Sequence, residues 1–149
     1  MRLIRRTIRG IRTLRELALA HDRRGAAVVE LALALPVLLT LLFGILTGGT
    51  WLAMSHAVQQ SANEAGRAAL AGLTQGERAT LATNAARTTL AHTYGVAASA
   101  VTVTVQDDGQ RLTVTTRYDG TANPLLALPI VPAQSKTIER RATMLLTGL

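Results

Sequence analysis

The chain contains no cysteine, which excludes a disulfide framework, a thiolate nucleophile and a cysteine-type zinc site, and leaves no redox mark of compartment. Aromatic residues are scarce, with one Trp, two Tyr and one Phe in 149 residues. Formal charge is missing from the whole stretch Leu31 to Met54. Neither a phosphate-cradling G-x-x-x-x-G-K-[ST] loop nor a G-x-S-x-G nucleophile elbow occurs, so the sequence offers none of the usual frames for nucleotide or acyl chemistry. His21, His56 and His92 fall in three regions without helical i, i+4 partners, which gives no metal-ligand spacing. Asp107 and Asp108 read as turn formers, and the many Ser and Thr have no positioned base beside them. The expectation is no enzyme, no cofactor and no metal.

What is present is unevenly distributed. Residues 1–24 carry eight arginines against Glu16 and Asp22, a net of +6 out of the chain's +7. The sequence pI near 11.4 therefore describes an N-terminal arm and not a basic folded domain. Ile4, Ile8, Ile11 and Leu14 share one helical face of that arm with arginines around them. No aromatic stacking residue accompanies the charges, as nucleic-acid binding would favour. Beside an apolar helix, the arm is expected to attract anionic lipid, at about 1 kcal/mol per basic residue near the surface. The expected partner is membrane lipid, not nucleic acid.

The uncharged run Leu31–Met54 would reach roughly 36 Å as a helix, enough to cross a hydrocarbon core of about 30 Å with some tilt. Arginines crowd its N-terminal flank, whereas its C-terminal flank has no formal charge before Glu64. The positive-inside rule then places the N-terminus in the cytoplasm and the rest outside, in a single pass of the cell (inner or plasma) membrane. Pro36 removes one backbone donor and frees the carbonyl of Ala32, which predicts a kink. Gly44 and Gly48 form a G-x-x-x-G pair that lets another helix approach closely.

The junction before this run is the most specific signal: Arg23-Arg24-Gly25-Ala26-Ala27-Val28-Val29-Glu30, then Leu31-Ala32-Leu33-Ala34-Leu35-Pro36. A carboxylate at the edge of a membrane helix is costly and tends to face a partner or a function. Placement of Glu30 at headgroup level, paired with Arg24 or water, is the plain alternative. Gly25 with Glu30 at the fifth position after it resembles the cleavage site of type IV prepilins. The longer run, with Val29-Glu30-Leu31-Ala32, Pro36 and Gly44, resembles the TadE-like family of minor pseudopilins from tight-adherence (Flp) pilus systems. The resemblance implies cleavage by a prepilin peptidase between Gly25 and Ala26. It further implies that Glu30 neutralises the terminal amine of a neighbouring subunit and sets assembly register, and that the partners are other pilin-like subunits and pilus-assembly membrane proteins. The chain departs from the family pattern at Leu31, where Phe is frequent, and near Thr47, where an acidic residue is frequent.

Beyond the membrane segment, Val58, Ala62, Ala65 or Gly66, Ala69 and Leu73 recur at helical spacing and predict that the helix continues as a stalk. Thr74-Gln75-Gly76-Glu77 fits a capping box, opening a second helix over Glu77–Tyr94 with a stripe at Ala82, Ala86 and Leu90 and a stop at Gly95. Val101–Val105 and Leu112–Tyr118 alternate as strands, and an Asp108-Gly109 turn would oppose Val105 to Leu112, Val103 to Val114 and Val101 to Thr116. Asn123 to Pro132 reads as a loop, since Pro124, Pro129 and Pro132 lack backbone donors. Lys136–Leu146 reads as a third strand with Ile138, Ala142, Met144 and Leu146 on its apolar face and Arg140 misplaced among them.

The predicted fold class is α+β: a long N-terminal transmembrane helix extended into a stalk, a second helix and a small antiparallel three-stranded sheet. The divisions are 1–25, an Arg-rich cytoplasmic leader; 26–56, the transmembrane helix; 57–95, the stalk and second helix; and 96–149, the β domain. The predicted function is a minor pseudopilin-like subunit acting by helix packing. Two alternatives are a protein secreted through signal-peptidase cleavage after Ser55-His56-Ala57, with Arg23-Arg24 suggesting twin-arginine export, and an uncleaved anchored binding domain.

Overall fold

The computed structural model describes the backbone of residues 3–128 and 136–146, and side chains from residue 25 onward. The amphipathic arm residues Ile4, Ile8, Ile11 and Leu14 and the loop prolines Pro129 and Pro132 lie outside the described side chains. Helix α1 covers Leu3–Ala69, followed by α2 (Gln75–Tyr94), a 3-10 turn (Ala98–Ala100), β1 (Val101–Asp107), β2 (Arg111–Asp119), a short α3 (Pro124–Ala127) and β3 (Thr137–Leu145). The chain divides after Phe43 into two compact units.

In the first unit, the described part of α1 exposes apolar side chains all round, including Val28, Leu33, Val37 and Leu41. A helix apolar on every side must be enclosed by lipid or by other protein. Its helical assignment passes through Pro36, and the Thr40 hydroxyl donates back to the Pro36 carbonyl at 2.8 Å.

The second unit, residues 44–149, packs α1 from Thr47 onward and α2 against one face of a sheet of order β1-β2-β3. The small-residue stripe of α1 is buried at Val58, Ala62, Ala65, Gly66 and Ala69, because side chains three and four apart share one helical face. Gly66 faces β3: a Cβ there would stand 2.8 Å from Cε of Met144. Leu73 does not continue the stripe. It is 90% exposed in the turn between the helices, since α1 ends at Ala69 and the periodicity ends with it. Thr74 caps α2 with both arms of the capping box formed, and Gly95 ends it in the left-handed region at φ 63°. Ala82, Ala86 and Leu90 are the buried residues of α2, as the spacing predicts.

The three strands are antiparallel, with apolar residues on the inner face and Thr102, Thr104, Thr113, Thr115 and Thr143 on the outer. The hairpin register differs from the sequence expectation by two positions: Val105 opposes Val114, Val103 opposes Thr116 and Val101 opposes Tyr118. Gly109 and Gln110, not Asp108 and Gly109, are the central turn residues, flanked by the Asp108 amide donating to the Arg111 carbonyl at 3.2 Å. A turn centred on Asp108-Gly109 needs positive φ at an aspartate, whereas here Gly109 alone takes it, at φ 83°. An even shift leaves every side chain on its predicted face, so the apolar pattern does not resist it.

On β3, Arg140 sits on the inner face between Ile138 and Ala142 and opposite Thr116. It is half-buried, and its guanidinium leaves the face by donating from Nη2 to Oγ of Ser55 on α1 at 2.9 Å. Beside it, Nε2 of Gln59 donates to the Arg141 carbonyl at 3.1 Å, so α1 satisfies backbone of the outer strand. The Asn123–Leu128 stretch is partly helical rather than loop throughout: the Asn123 carboxamide accepts from Leu125 and Leu126, and Pro124 occupies the first turn, where its missing donor costs nothing.

Two hydrophobic clusters fill the second unit. One joins Met54, Ala57 and Val58 of α1 to Leu90, Val101, Tyr118, Leu126 and Ile138. The other joins Ala65 and Ala69 to Ala82, Ala86, Leu112 and Val114.

Candidate functional site

The residues singled out by sequence occupy α1. Gly25 and Ala26 are adjacent on α1, Glu30 lies about one turn further on, and all three are exposed. A Cβ built on Gly25 meets nothing within 4 Å, so no packing among the described residues selects glycine there. Within a helix it is the least favourable residue after proline, by about 1 kcal/mol relative to alanine. That cost makes residues 25–26 an easier place than their neighbours for the ladder to open.

Glu30 makes no ion pair or hydrogen bond with a described residue, and the side chain of Arg24 lies outside the described set. From Gly25 to Leu46 every residue is exposed except half-buried Ala34 and Gly44. The carboxylate thus stands on an apolar helix with no partner from its own described surroundings. A Cβ at Gly44 also meets nothing within 4 Å, while Gly48, one turn on, is half-buried in the second unit. Gly44 lies in the same unit and is half-buried as well, so burial does not separate the two members of the G-x-x-x-G pair. Pro36 lies in the first unit, apart from both glycines in the division of the chain.

The helical spacing predicts a buried face of α1 from Val58 onward. The structure carries it back through Met54, Ser55 and half-buried Trp51 to Thr47. The signal was available: Thr47, Trp51, Met54 and Val58 repeat at four, three and four, but inside an uncharged run a buried face has no polar residues to mark its edge. Oγ1 of Thr47 and Nε1 of Trp51 are enclosed without a hydrogen-bond partner among the described residues.

At the end of the second unit where α1 enters, Thr50, Ala53 and Met54 line a cavity of about 540 Å³ with Tyr94, Tyr118 and Asp119. Among its described lining residues only Asp119 is charged. Its carboxyl is held below the usual carboxylate range by the Thr121 amide, which donates at 3.0 Å, and then by the Thr121 hydroxyl. Glu77 is lowered by the Leu73 and Thr74 amides, and Asp108 by those of Gln110 and Arg111. All three effects serve caps and turns.

Residues 25–67 match the family described as TadE-like protein. The match begins at the glycine of the junction and ends within α1, two residues before the helix does. No curated protein and no solved structure matches the chain.

Proposed function

We propose, on the premise of the TadE-like match over residues 25–67, that the chain is a minor pseudopilin-like membrane subunit for assembly of a tight-adherence, type IV-like pilus. It is cut after Gly25 by a prepilin peptidase and then acts by packing its apolar helix against other pilin-like subunits, without catalysis.

The observation that carries this reading is Glu30, a carboxylate without a partner among the described residues, on a helix whose apolar surface is uncovered by them as far as Leu46. Residues 47–54 of the apolar run are partly buried in the second unit. The stretch Leu31–Leu46 alone reaches roughly 24 Å, short of a hydrocarbon core of about 30 Å, whereas a helix from Ala26 to Leu46 reaches roughly 31 Å. A span of that length takes Glu30 below the surface of the bilayer, where an ionised carboxylate needs a cation. The amine freed at Ala26 of a neighbouring subunit is such a cation, and the low dielectric among packed helices strengthens their attraction.

Secretion by cleavage after Ala57 is disfavoured by packing. A chain beginning at Val58 would lose Met54 and Ala57 from the first hydrophobic cluster, together with Trp51 packed against it. It would also lose Ser55, the partner of Arg140.

The test is the N-terminus of the protein recovered from membranes, read by mass spectrometry in cells with and without their prepilin-type peptidase. The proposal expects a start at Ala26 that depends on the peptidase. A start at Val58, or an intact Met1 in both strains, rejects it.

A further inference from the structure

The distribution of charge and aromatic residues within the second unit singles out one of its ends. Gly44 to Asn63 contains no Asp, Glu, Lys or Arg, and neither does Tyr94 to Gln106 or Gly120 to Leu128. The structure gathers the near parts of these three stretches at the end where α1 enters, around the cavity lined by Thr50 and Ala53, Tyr94 and Ala97, and Ala122 and Pro124. Among the cavity-lining residues only Asp119 is charged, and its carboxylate is already engaged by the Thr121 amide. The chain's single Trp and both its Tyr belong here: Trp51 packs on the cluster that contains Tyr118, and Tyr94 borders the cavity with 45% of its surface exposed. The other end of the unit is different. There, Arg78 pairs with Asp107, and Glu77, Asp108 and Arg111 surround the two turns.

We propose that this charge-poor end rests in the interfacial layer of the phospholipid bilayer, with the Tyr94–Ala100 and Gly120–Pro124 segments among the headgroups and the cavity between them opening onto lipid. Three observations point to lipid as the occupant. The unit's own first residues, Gly44 to Leu46, continue the apolar run without a polar spacer, and Ile45 and Leu52 stay exposed, so the chain leaves the hydrocarbon at this end. Tyr94, exposed at the edge of the cavity, is an amphipathic ring with one polar tip of the kind that favours the membrane–water boundary, while Tyr118 and Nε1 of Trp51 are buried behind it. Among the cavity-lining residues formal charge, which seating against hydrocarbon would penalise, is limited to one carboxylate that backbone already satisfies, and Lys136, whose carbonyl accepts from the Gly120 amide at 2.8 Å, is a cation suited to anionic headgroups. The proposal rests on insertion of α1 into a membrane and not on any role in pilus assembly.

The absence of cysteine makes the test direct, because one introduced cysteine takes one nitroxide label. The full chain, reconstituted alone in phosphatidylethanolamine–phosphatidylglycerol vesicles, carries the label in turn at Ala97→Cys, at Leu73→Cys on the other end and at Leu38→Cys as the reporter of insertion. The expected result is a label at 97 that is several-fold less accessible than that at 73 to a water-soluble nickel chelate, yet readily relaxed by oxygen dissolved in lipid. A label at 97 as open to nickel as that at 73, with 38 in lipid, overturns the proposal. So does protection from both relaxants, which would mean that protein covers this end. A label at 38 that reports water overturns membrane insertion and this inference together. No other subunit is present, so each outcome stands apart from the pilus reading.

Discussion

Arg140 on β3 reaches across to Ser55 on α1, donating from Nη2 to Oγ at 2.9 Å between residues 85 positions apart in the chain. It resolves the one residue that the alternation of β3 cannot place. An arginine facing an apolar layer keeps its stem against the sheet and sends its charge to an acceptor at the border. Ser55→Ala removes that acceptor and is expected to destabilise the second unit by about 2 kcal/mol, the scale of a hydrogen bond to a charged group. Ser55→Thr, which keeps a hydroxyl, should restore part of the loss. Denaturant unfolding of the full chain in detergent, followed by Trp51 fluorescence, measures both. No loss on Ser55→Ala would show that water serves Arg140 equally well.

Thr116 gives a prediction of opposite sign. It lies fully buried on the inner face of β2, between Val114 and Tyr118, and its Oγ1 has no hydrogen-bond partner among the described residues. A buried hydroxyl without a partner forfeits its hydration and gains nothing in return. Thr116→Val, nearly equal in volume and also β-branched, should raise stability by about 1 kcal/mol, seen as a higher midpoint at unchanged denaturant slope. Destabilisation would reveal a partner for that hydroxyl.

How far these relations are legible in the sequence depends on whether they are local. The capping box at Thr74 and Glu77, the stop at Gly95 and the stripe Ala82, Ala86, Leu90 are set by neighbours within a few residues, and each stands where the spacing placed it. The faces of the strands follow from alternation, but the register does not, because a two-position shift preserves alternation and only the choice between Asp108 and Gly109 for positive φ decides it. The anchoring of Arg140 by Ser55 and the burial of Thr47 and Trp51 are tertiary. No periodicity in an uncharged run tells lipid from protein. At the junction, Gly25 and Glu30 were legible as a pattern and from the cost of a carboxylate on an apolar helix, whereas the lack of a described partner for Glu30 required the fold.

Acid should weaken the second unit through Glu77, Asp108 and Asp119, all held below their usual carboxylate range by amides of caps and turns. A lowered folded-state value means that the unfolded chain takes up the proton first as pH falls. The contribution is therefore fully present above the ordinary carboxylate range and lost as pH drops through the lowered folded-state values. Midpoints of denaturation should be level from neutrality to about pH 5 and decline below it. Glu77→Gln keeps the acceptor of the capping box without the titration, and should make the decline shallower. An unchanged decline would assign acid sensitivity to the other carboxylates.

Glu30 provides the sharpest separation of insertion from assembly. For insertion, the carboxylate is a burden: an acidic residue near the centre of a membrane helix costs about 2.5–3.5 kcal/mol on insertion scales, and less toward its end. Glu30→Leu should therefore leave membrane partition unchanged or stronger, measured by carbonate-resistant association of the full chain. For assembly, the same change removes the only group in the described part of the helix's first unit able to pair with a cation. Recovery of the chain with other pilin-like subunits after crosslinking should fall about tenfold or more, corresponding to loss of an attraction of at least ~1.4 kcal/mol. Glu30→Gln, polar but unable to carry charge, should behave like the leucine variant if the amine of Ala26 is the partner. Recovery of Glu30→Gln at the level of the unaltered chain would mean that hydrogen bonding suffices and that no ion pair sets the register. Normal recovery of both variants would remove Glu30 from assembly altogether and leave it an interfacial residue.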